Sequence, residues 1–268
     1  MSKKKSLRRP LVAGNWKMNK DHVEAIHLIA DLGLRLRSIA SSNIDVSVHP
    51  PFTDLRSVEG IIGAESLPVF LGAQHCSAHE HGAYTGEVSV EMLRRLSVSH
   101  VIIGHSERRQ IYAMSDADVA ATTVAVHGGG MIPIICVGET QEEHEDGVTK
   151  EVLAHQVNSA LTGIAAGSEE RTVLAYEPIW AIGTGLAASG DDAQEVCSYL
   201  RSLLKDARGE VADEMRILYG GSAKPENTLD YVAQPDIDGL LVGGASLEGE
   251  SFAAMIDAVA TCYGSSAT

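Results

Sequence analysis

The chain has 268 residues, of which 44% are hydrophobic and 21% are charged. This is the composition of a globular protein, and the length suits one large domain or two small ones. The formal net charge of −15 argues against nucleic acids and anionic membranes as partners, and no apolar run approaches the roughly 20 residues that span a bilayer.

The first ten residues, MSKKKSLRRP, form a basic segment. They hold five of the 21 Lys and Arg residues and no acidic residue. The segment is too short, and too poor in apolar positions, for an amphipathic targeting helix. We therefore predict a solvated basic tail over residues 1–10 and one domain over residues 11–268.

Eight short apolar runs follow along the chain, many of them rich in β-branched residues and flanked by Gly or Pro. Runs of this kind are typical of strands buried on both faces. In chain order the predicted strands are Leu11–Trp16, Asp45–Pro50, Leu71–Gln74, His100–Ser106, Met131–Glu139, Thr172–Pro178, Arg216–Ser222 and Asp238–Ser246.

Longer segments between these runs have apolar residues at helical spacing, as in 21–40, 115–130 and 150–165. Parallel strands need crossover connections of this length. Eight strand–helix units in about 250 residues indicate an α/β protein with a single closed (β/α)8 barrel rather than an open, doubly wound sheet.

Polar residues stand at the predicted carboxyl ends of several strands. Asn15 and Lys17 stand at the end of the first strand, and Glu177 stands near the end of the sixth. His105 ends the fourth, directly before Ser106, which has the type of a helix N-cap. Each has an ordinary alternative as a turn cap, a surface cation, a loop carboxylate or a structural histidine. Their joint occurrence at the end of the barrel where active sites lie favours catalysis.

The seventh and eighth runs end in the glycine turns YGGS and VGGAS. Backbone N–H groups of glycine can approach a phosphate closely, and helix N-termini favour anions. In (β/α)8 barrels these two loops often bind phosphate. We therefore predict a phosphate site at Ser222, Gly243 and Gly244, with Lys17 supplying positive charge.

Six motifs, GNWKMN, GAYTGEVS, IIGHSERR, AYEPIWAIGTG, ILYGGS and LVGGASL, occur in this order. From about Leu11 to its C-terminus the chain thereby resembles the triosephosphate isomerase family. The resemblance implies a cytoplasmic homodimer of glycolysis and gluconeogenesis. It also implies interconversion of dihydroxyacetone phosphate and D-glyceraldehyde 3-phosphate, with no metal or organic cofactor.

The resemblance also assigns roles to individual residues. Glu177 is the base that moves a proton between neighbouring carbons through an enediolate, and His105 donates a hydrogen bond to the enediolate oxygens. Lys17 adds positive charge, Asn15 orients the substrate and Glu107 is a supporting partner. The implied ligands of substrate and phosphate are Asn15, Lys17, Gly183, Ser222, Gly243 and Gly244.

The charge state of His105 follows from its neighbours. Ser106 and Glu107 indicate the start of a helix directly after the histidine. Because the N-terminus of a helix disfavours positive charge, we expect His105 to act as neutral imidazole.

The segment 178–188 corresponds to the lid of the family, with hinges at its two ends and a glycine-containing tip. Its closure would exclude water and protect a reactive intermediate. The predicted lid residues are Pro178, Ile179, Trp180, Ala181, Ile182, Gly183, Thr184, Gly185, Leu186, Ala187 and Ala188.

GAYTGEVS resembles the interdigitating loop of the family, with Thr85 at its tip. In a dimer, the resemblance implies, this loop reaches the partner's site and braces Asn15 and Lys17. The alternative is an ordinary surface loop.

A histidine- and cysteine-rich stretch precedes this loop, with His75, Cys76, His79 and His81. Imidazole and thiolate can bind transition metals, but the spacing matches no standard zinc pattern. We predict surface histidines without a metal, and Cys76 as a possible point of oxidation. The four cysteines of the chain are dispersed, which indicates free thiols in a reducing compartment.

Two other functions are compatible with the barrel. Another phosphosugar enzyme, such as an epimerase or aldolase, would share the phosphate turns. An aldolase needs a metal or a Schiff-base lysine at a strand end, and Lys17 is the one lysine in such a position. A non-catalytic barrel that binds a phosphorylated metabolite would keep the glycine turns but need not keep Glu177 and His105.

Overall fold

A computed structural model of the chain describes residues 8–37, 39, 44–181 and 188–264. Within these ranges eight parallel strands close into a barrel in the order β1 to β8. The strands are β1 Leu11–Asn15, β2 Asp45–His49, β3 Phe70–Ala73, β4 His100–Ile103, β5 Ile132–Val137, β6 Val173–Tyr176, β7 Arg216–Tyr219 and β8 Gly239–Val242. The helices are α1 His22–Leu36, α2 Leu55–Glu65, α3 Val90–Arg94, α4 Ser106–Tyr112, α5 Asp116–Gly128, α6 Gln141–Glu145, α7 Thr149–Leu161, α8 Gly190–Arg208, α9 Thr228–Val232 and α10 Gly249–Gly264.

The pairing of β1 with both β2 and β8 closes the barrel. Leu11 is in register with Asp45 on one side and with Gly239 on the other. The prediction of a single α/β barrel is therefore confirmed. Most of the predicted strands extend beyond the observed ones at their carboxyl ends, because the chain there leaves the ladder to form the turns described below.

Alternation along each strand separates two cores, as β6 illustrates. Val173 and Ala175 face the barrel interior, whereas Leu174 and Tyr176 pack in the outer core between strands and helices. Side chains of a strand alternate between its two faces. Glu177 is the next position in this alternation. Its side chain therefore lies on the interior side of the barrel, directly after the last paired residue of β6.

Capping residues start several helices where the sequence predicts them. The Ser115 hydroxyl accepts a hydrogen bond from the backbone N–H of Asp118, whose carboxylate accepts one from the backbone N–H of Ser115, and α5 begins directly afterwards. Such reciprocal caps satisfy N–H groups that have no partner within the helix. No helix in the described ranges is long and apolar enough to cross a membrane.

The predicted solvated tail does not extend to Arg8. The guanidinium of Arg8 is buried and lies 2.7 Å from a carboxylate oxygen of Asp238. The other carboxylate oxygen of Asp238 accepts a hydrogen bond from Arg201 at 2.8 Å and one from the backbone of Ile217 at 3.0 Å. Burial of two arginines is tolerable because they share this carboxylate and also donate to backbone carbonyls. Residues 1–7 lie outside the described part of the chain.

Two histidines are buried in the wall of the barrel. His49 contacts the hydroxyl of Ser47 and the carbonyl of Ala73, both at 3.0 Å. Gly72 makes room for the ring, since a Cβ at this position would collide with it. Burial lowers the pKa of His49 to about 4 and the pKa of His100 well below its ordinary value.

We expect these histidines to make the barrel unstable in acid. Their pKa is lower in the folded than in the unfolded chain, where it is about 6.5, so the unfolded chain binds their protons first. The free energy of unfolding that these histidines affect is therefore retained above about pH 6.5 and decreases as the pH is lowered towards 4. His49 alone should remove about 2 kcal/mol of unfolding free energy between pH 7 and pH 5.

Urea unfolding at both pH values tests this expectation. His49→Gln keeps a donor and an acceptor but cannot take up the proton, so the difference between the two pH values should shrink. His81→Gln, which changes an exposed histidine, serves as the control. An equal acid loss in wild type and His49→Gln would contradict the assignment.

Candidate active site

A cavity of about 620 Å³ opens at the carboxyl ends of the strands. It brings together residues that are far apart in sequence but were predicted to share one site. The predicted residues that line it are Asn15, Lys17, His105, Glu177, Ser222, Gly243 and Gly244.

Glu177 and His105 meet in the inner part of this cavity, and both are almost fully buried. Glu177 Oε1 lies 3.0 Å from His105 Nε2, and Glu177 Oε2 accepts a hydrogen bond of 2.9 Å from the backbone N–H of Ser106. The carboxylate thus rests on the first residue of α4. Gly138 permits this arrangement, because a Cβ there would collide with the backbone carbonyl of Glu177.

The environment of Glu177 favours its ionised form. Burial alone would raise the pKa of this carboxyl group. The charge and hydrogen bond of His105, the N–H of Ser106 and the charge of Lys17 outweigh burial, so the pKa of Glu177 is lower than usual. A carboxylate that is ionised and shielded from water is a suitable acceptor for a proton on carbon.

His105 itself, and not Ser106, is the N-cap of α4. Its Nδ1 accepts a hydrogen bond of 3.2 Å from the backbone N–H of Glu107. An accepting Nδ1 places the ring proton on Nε2, the nitrogen that faces Glu177. Burial lowers the pKa of His105, but the Glu177 carboxylate outweighs burial and raises it. That His105 acts as a neutral imidazole therefore stays a prediction. We expect it to hold when Glu177 moves away from the ring, because the charge that raises the pKa of His105 is then removed.

Lys17 is held in an unusual backbone conformation with φ of 52°. Non-glycine residues rarely adopt positive φ, and such strain is concentrated at functional sites. The Asn15 side chain accepts from the Lys17 backbone at 3.0 Å, and Gln74 donates to the Lys17 carbonyl at 2.7 Å. The ammonium group lies 2.7 Å from Glu107, the residue predicted as a supporting partner.

The two glycine turns form the outer part of the cavity. The hydroxyl of Ser222 donates to the carbonyl of Ala181 at 2.8 Å, which connects the turn after β7 to the first hinge of the predicted lid. Gly243 and Gly244, directly after β8, also line the cavity. Gly183, the remaining predicted phosphate ligand, lies outside the described residues.

The first hinge of the predicted lid packs against Glu139. Trp180 donates from its indole to Glu139 Oε1 at 2.9 Å, and the hydroxyl of Tyr176 donates to the same oxygen at 3.1 Å. At the second hinge, Tyr231 donates to the carbonyl of Ala188 at 2.8 Å. The predicted lid residues Ile182, Gly183, Thr184, Gly185, Leu186 and Ala187 lie outside the described part of the chain.

Thr85 is exposed at the tip of a turn that is closed by a hydrogen bond from Glu87 to the carbonyl of Tyr84. The ring of Tyr84 stacks on His79 at 4.0 Å between centroids. Met18, near the barrel mouth, is 95% exposed.

The surroundings of Cys76 do not favour the oxidation that was considered for it. Cys76 is fully buried, and burial together with Glu87 raises the pKa of its thiol to about 12. Because the thiolate is the species that reacts with oxidants, the expected sensitivity of Cys76 is not supported. His75 contacts Glu87 at 3.7 Å, and His81 is exposed.

The structure shows three features of the site that the sequence analysis did not predict. Lys224 lines the cavity and adds a second cation beside Ser222. The N–H of Ser106 binds Glu177, and Glu139 holds Trp180. The position of Glu139 at the carboxyl end of the fifth predicted strand is a signal that could have identified it.

Known proteins resemble this chain over almost its whole length. The sequence profile of the triosephosphate isomerase family matches residues 10–259. The triosephosphate isomerase of Corynebacterium glutamicum is 51% identical over 92% of this chain and 95% of its own length. That of Streptomyces coelicolor is 47% identical over 93% of this chain and 97% of its own.

A solved structure also has the fold of this chain. The crystal structure of triosephosphate isomerase from Bartonella henselae has a TM-score of 0.84 and 34% sequence identity, and the match covers 93% of this chain and 98% of that one. The profile match, the relatives, the closed barrel and the cavity at its carboxyl end agree. This chain therefore belongs to the triosephosphate isomerase family.

Proposed function

We propose that this isomerase interconverts dihydroxyacetone phosphate and D-glyceraldehyde 3-phosphate through an enediolate, with Glu177 as the base. The observation that carries the proposal is the 3.0 Å contact between Glu177 and His105, in one cavity with Lys17 and two glycine turns. In this reaction the enzyme would serve glycolysis and gluconeogenesis in the cytoplasm.

Glu177 takes the proton from carbon 1 of the ketone, and the electron pair of the broken C–H bond moves to form the enediolate. Glu177 then returns a proton to carbon 2, while the proton of the carbon 1 hydroxyl passes to the oxygen on carbon 2, so that carbon 1 becomes the aldehyde and carbon 2 carries the hydroxyl. Both oxygens of the carboxylate now carry hydrogen bonds, from His105 and Ser106. Each oxygen keeps one further lone pair that can take the proton from the substrate carbon.

His105 becomes free to donate from Nε2 to the enediolate oxygens when Glu177 moves to the substrate carbon. The backbone N–H at Nδ1 keeps the ring in the tautomer that this donation requires. Hydrogen-bond donors placed where charge develops lower the barrier most strongly in a cavity shielded from water. Lys17, 2.7 Å from Glu107, adds positive charge at the same end of the cavity.

A Schiff-base aldolase is less consistent with the site. Such an enzyme needs a neutral lysine amine as its nucleophile. The Lys17 amine is instead engaged in an ion pair with Glu107 at 2.7 Å. The pair therefore supports an electrostatic role for Lys17.

The reaction run in D₂O tests the proposed route. A base that exchanges its proton with solvent should place deuterium on carbon 2 of the aldehyde, which NMR of the product detects. Product that carries only protium there, formed at a rate that Glu177→Gln leaves unchanged, would indicate direct hydride transfer and overturn the proposed route. A coupled assay with excess chelator is the companion measurement, and we expect the rate to be unchanged.

We also propose that the enzyme is a homodimer in which the loop with Thr85 contacts the partner. The exposure of Thr85, and of Met18 directly after Lys17, is compatible with this arrangement. The loop of one subunit would brace the partner's Lys17, whose strained backbone needs support.

Thr85→Arg is expected to weaken the dimer, because a charged side chain at an interface is costly when it has no partner. Analytical ultracentrifugation of the wild type should give twice the chain mass of 28.4 kDa. The variant should shift towards the monomer, with a parallel loss of activity. Ser202→Arg, on the exposed face of α8, is the control. A wild type that is monomeric at micromolar concentration would refute the dimer.

A further inference from the structure

Lys224 lines the active-site cavity, although none of the sequence motifs pointed to it. It stands two residues after Ser222, in the segment between β7 and α9, and its side chain is exposed. A molecule that enters the cavity can therefore contact this side chain directly.

Hydrogen bonds hold the backbone of Lys224 in one turn with the proposed phosphate site. The side chain of Asn227 accepts from the N–H of Lys224 at 2.7 Å and donates to the carbonyl of Ser222 at 3.3 Å. The hydroxyl of Thr228 donates to the carbonyl of Lys224 at 2.9 Å. The position of Lys224 relative to Ser222 is thus fixed, and a flexible four-carbon stem carries the ammonium group from it.

The other lysine of the cavity already has a carboxylate partner. The Lys17 ammonium lies 2.7 Å from Glu107. A Cβ on Gly243 would lie 3.4 Å from Lys17 Cε, so Lys17 approaches the cavity beside the turn after β8. Lys224, in contrast, has no ion-pair partner among the residues that the structure describes. It adds an unpaired cation from the turn after β7.

Carboxylates on this side of the cavity oppose the binding of an anion. A Cβ on Gly220 would lie 3.0 Å from Glu177 Cγ, which places the stem of the proposed base beside the start of the same turn. Glu226 is exposed and also lines the cavity. Together with the net charge of −15, these groups repel a phosphate dianion. A free cation at this position offsets the repulsion.

We propose that Lys224 is a binding residue for the phosphate group of the substrate, which its ammonium attracts into the cavity and contacts from the turn after β7. This inference rests on the proposed function, because it takes the anion bound at Ser222 to be the phosphate of a triose phosphate. Ammonium groups form charge-assisted hydrogen bonds with phosphate oxygens. Lys224 has no part in the proton transfer, so its effect falls on substrate binding.

Steady-state kinetics of Lys224→Met at low ionic strength test the proposal. Methionine keeps an unbranched, flexible side chain but removes the charge. We expect KM for D-glyceraldehyde 3-phosphate to rise about three- to five-fold, the effect of one exposed ionic contact, with kcat nearly unchanged. Lys224→Arg should restore most of the loss, because a guanidinium also donates to phosphate. In about 0.5 M sodium chloride the difference between wild type and Lys224→Met should largely disappear, since salt screens exposed charges.

Two further variants separate a local effect from a change of net charge. Lys205→Met is the matched control, because the Lys205 ammonium lies 3.1 Å from Asp213, on α8, and Lys205 does not line the cavity. It should leave KM unchanged. Glu226→Gln makes the opposite change of charge at the cavity and should lower KM by about two-fold. This variant keeps the proposal testable if Lys224→Met does not fold.

Binding of inorganic phosphate separates this inference from the proposed reaction. Titration calorimetry with sodium phosphate needs no turnover, and its Kd should rise in Lys224→Met by the same factor as KM. A wild type that lacks isomerase activity, but whose phosphate affinity still depends on Lys224, would refute the reaction and retain Lys224 as an anion-binding residue.

Three results would overturn the proposal. One is an unchanged KM together with an unchanged phosphate affinity in folded Lys224→Met. Another is an equal effect of Lys205→Met, which would indicate that net charge alone is responsible. The third is a fall in kcat that persists at high salt and is not rescued by Lys224→Arg, which would give Lys224 a structural role instead.

Discussion

Glu177→Gln is expected to reduce turnover by at least 10²- to 10⁴-fold, the usual contribution of a positioned base. The amide has the same size as the carboxylate but cannot accept a proton from carbon. Its oxygen can still accept from the N–H of Ser106, so the packing of the site should persist. Steady-state kinetics should show a much lower kcat with a modest change in KM, because the glycine turns that we propose bind the phosphate are untouched.

The effect of Glu177→Gln is compared with that of a control variant that removes one carboxylate far from the active site. Glu214→Gln, at an exposed position near the amino end of β7, should retain wild-type kinetics. Circular dichroism and the melting temperature of both variants control for folding. Turnover within a few-fold of wild type in Glu177→Gln would require a different base, and the 3.0 Å contact with His105 would then have only a structural meaning.

Asp238→Ala is expected to lower the unfolding free energy by about 3–5 kcal/mol, the usual cost of removing one partner from a buried ion pair. Asp238 is fully buried between Arg8 and Arg201, and its side chain also accepts from the backbone of Ile217. Its removal leaves two buried guanidinium groups without their shared anion. Urea unfolding at a fixed protein concentration measures the loss.

An exposed aspartate provides the control. Asp257→Ala, on the solvent face of α10, should change the unfolding free energy by less than about 0.5 kcal/mol. Arg8→Ala should cost less than Asp238→Ala, because Arg201 remains paired with the carboxylate. A loss below about 1 kcal/mol for Asp238→Ala would mean that water relieves the buried arginines.

The barrel was predictable because strand and helix periodicities are local properties of the sequence. The β6 segment illustrates this point, since its apolar run and the position of Glu177 directly beyond it fix which face the carboxylate occupies. The shared cavity was predictable for a different reason. Parallel strands of one barrel end on the same side, so Asn15, His105 and Glu177 must meet there.

Long-range partners were not predictable. Arg8 was assigned to a solvated tail because nothing nearby in sequence indicates Asp238, 230 residues away. The cap of α4 was assigned to Ser106 by residue type, yet His105 takes that position because its Nδ1 faces the N–H of Glu107. The burial of Cys76 likewise depends on packing that no local pattern reveals.

The pairing of β1 with β8 has a consequence for synthesis of the chain. Leu11 leaves the ribosome early, whereas its partner Gly239 is added 228 residues later. At about 5–20 residues per second, the first strand waits about 10–50 s for that neighbour. Throughout this interval one edge of β1 presents unpaired backbone groups, which are a template for aggregation. We expect the nascent enzyme to be most vulnerable then, and a ribosome stall before codon 239 to leave a chain that chaperones must protect.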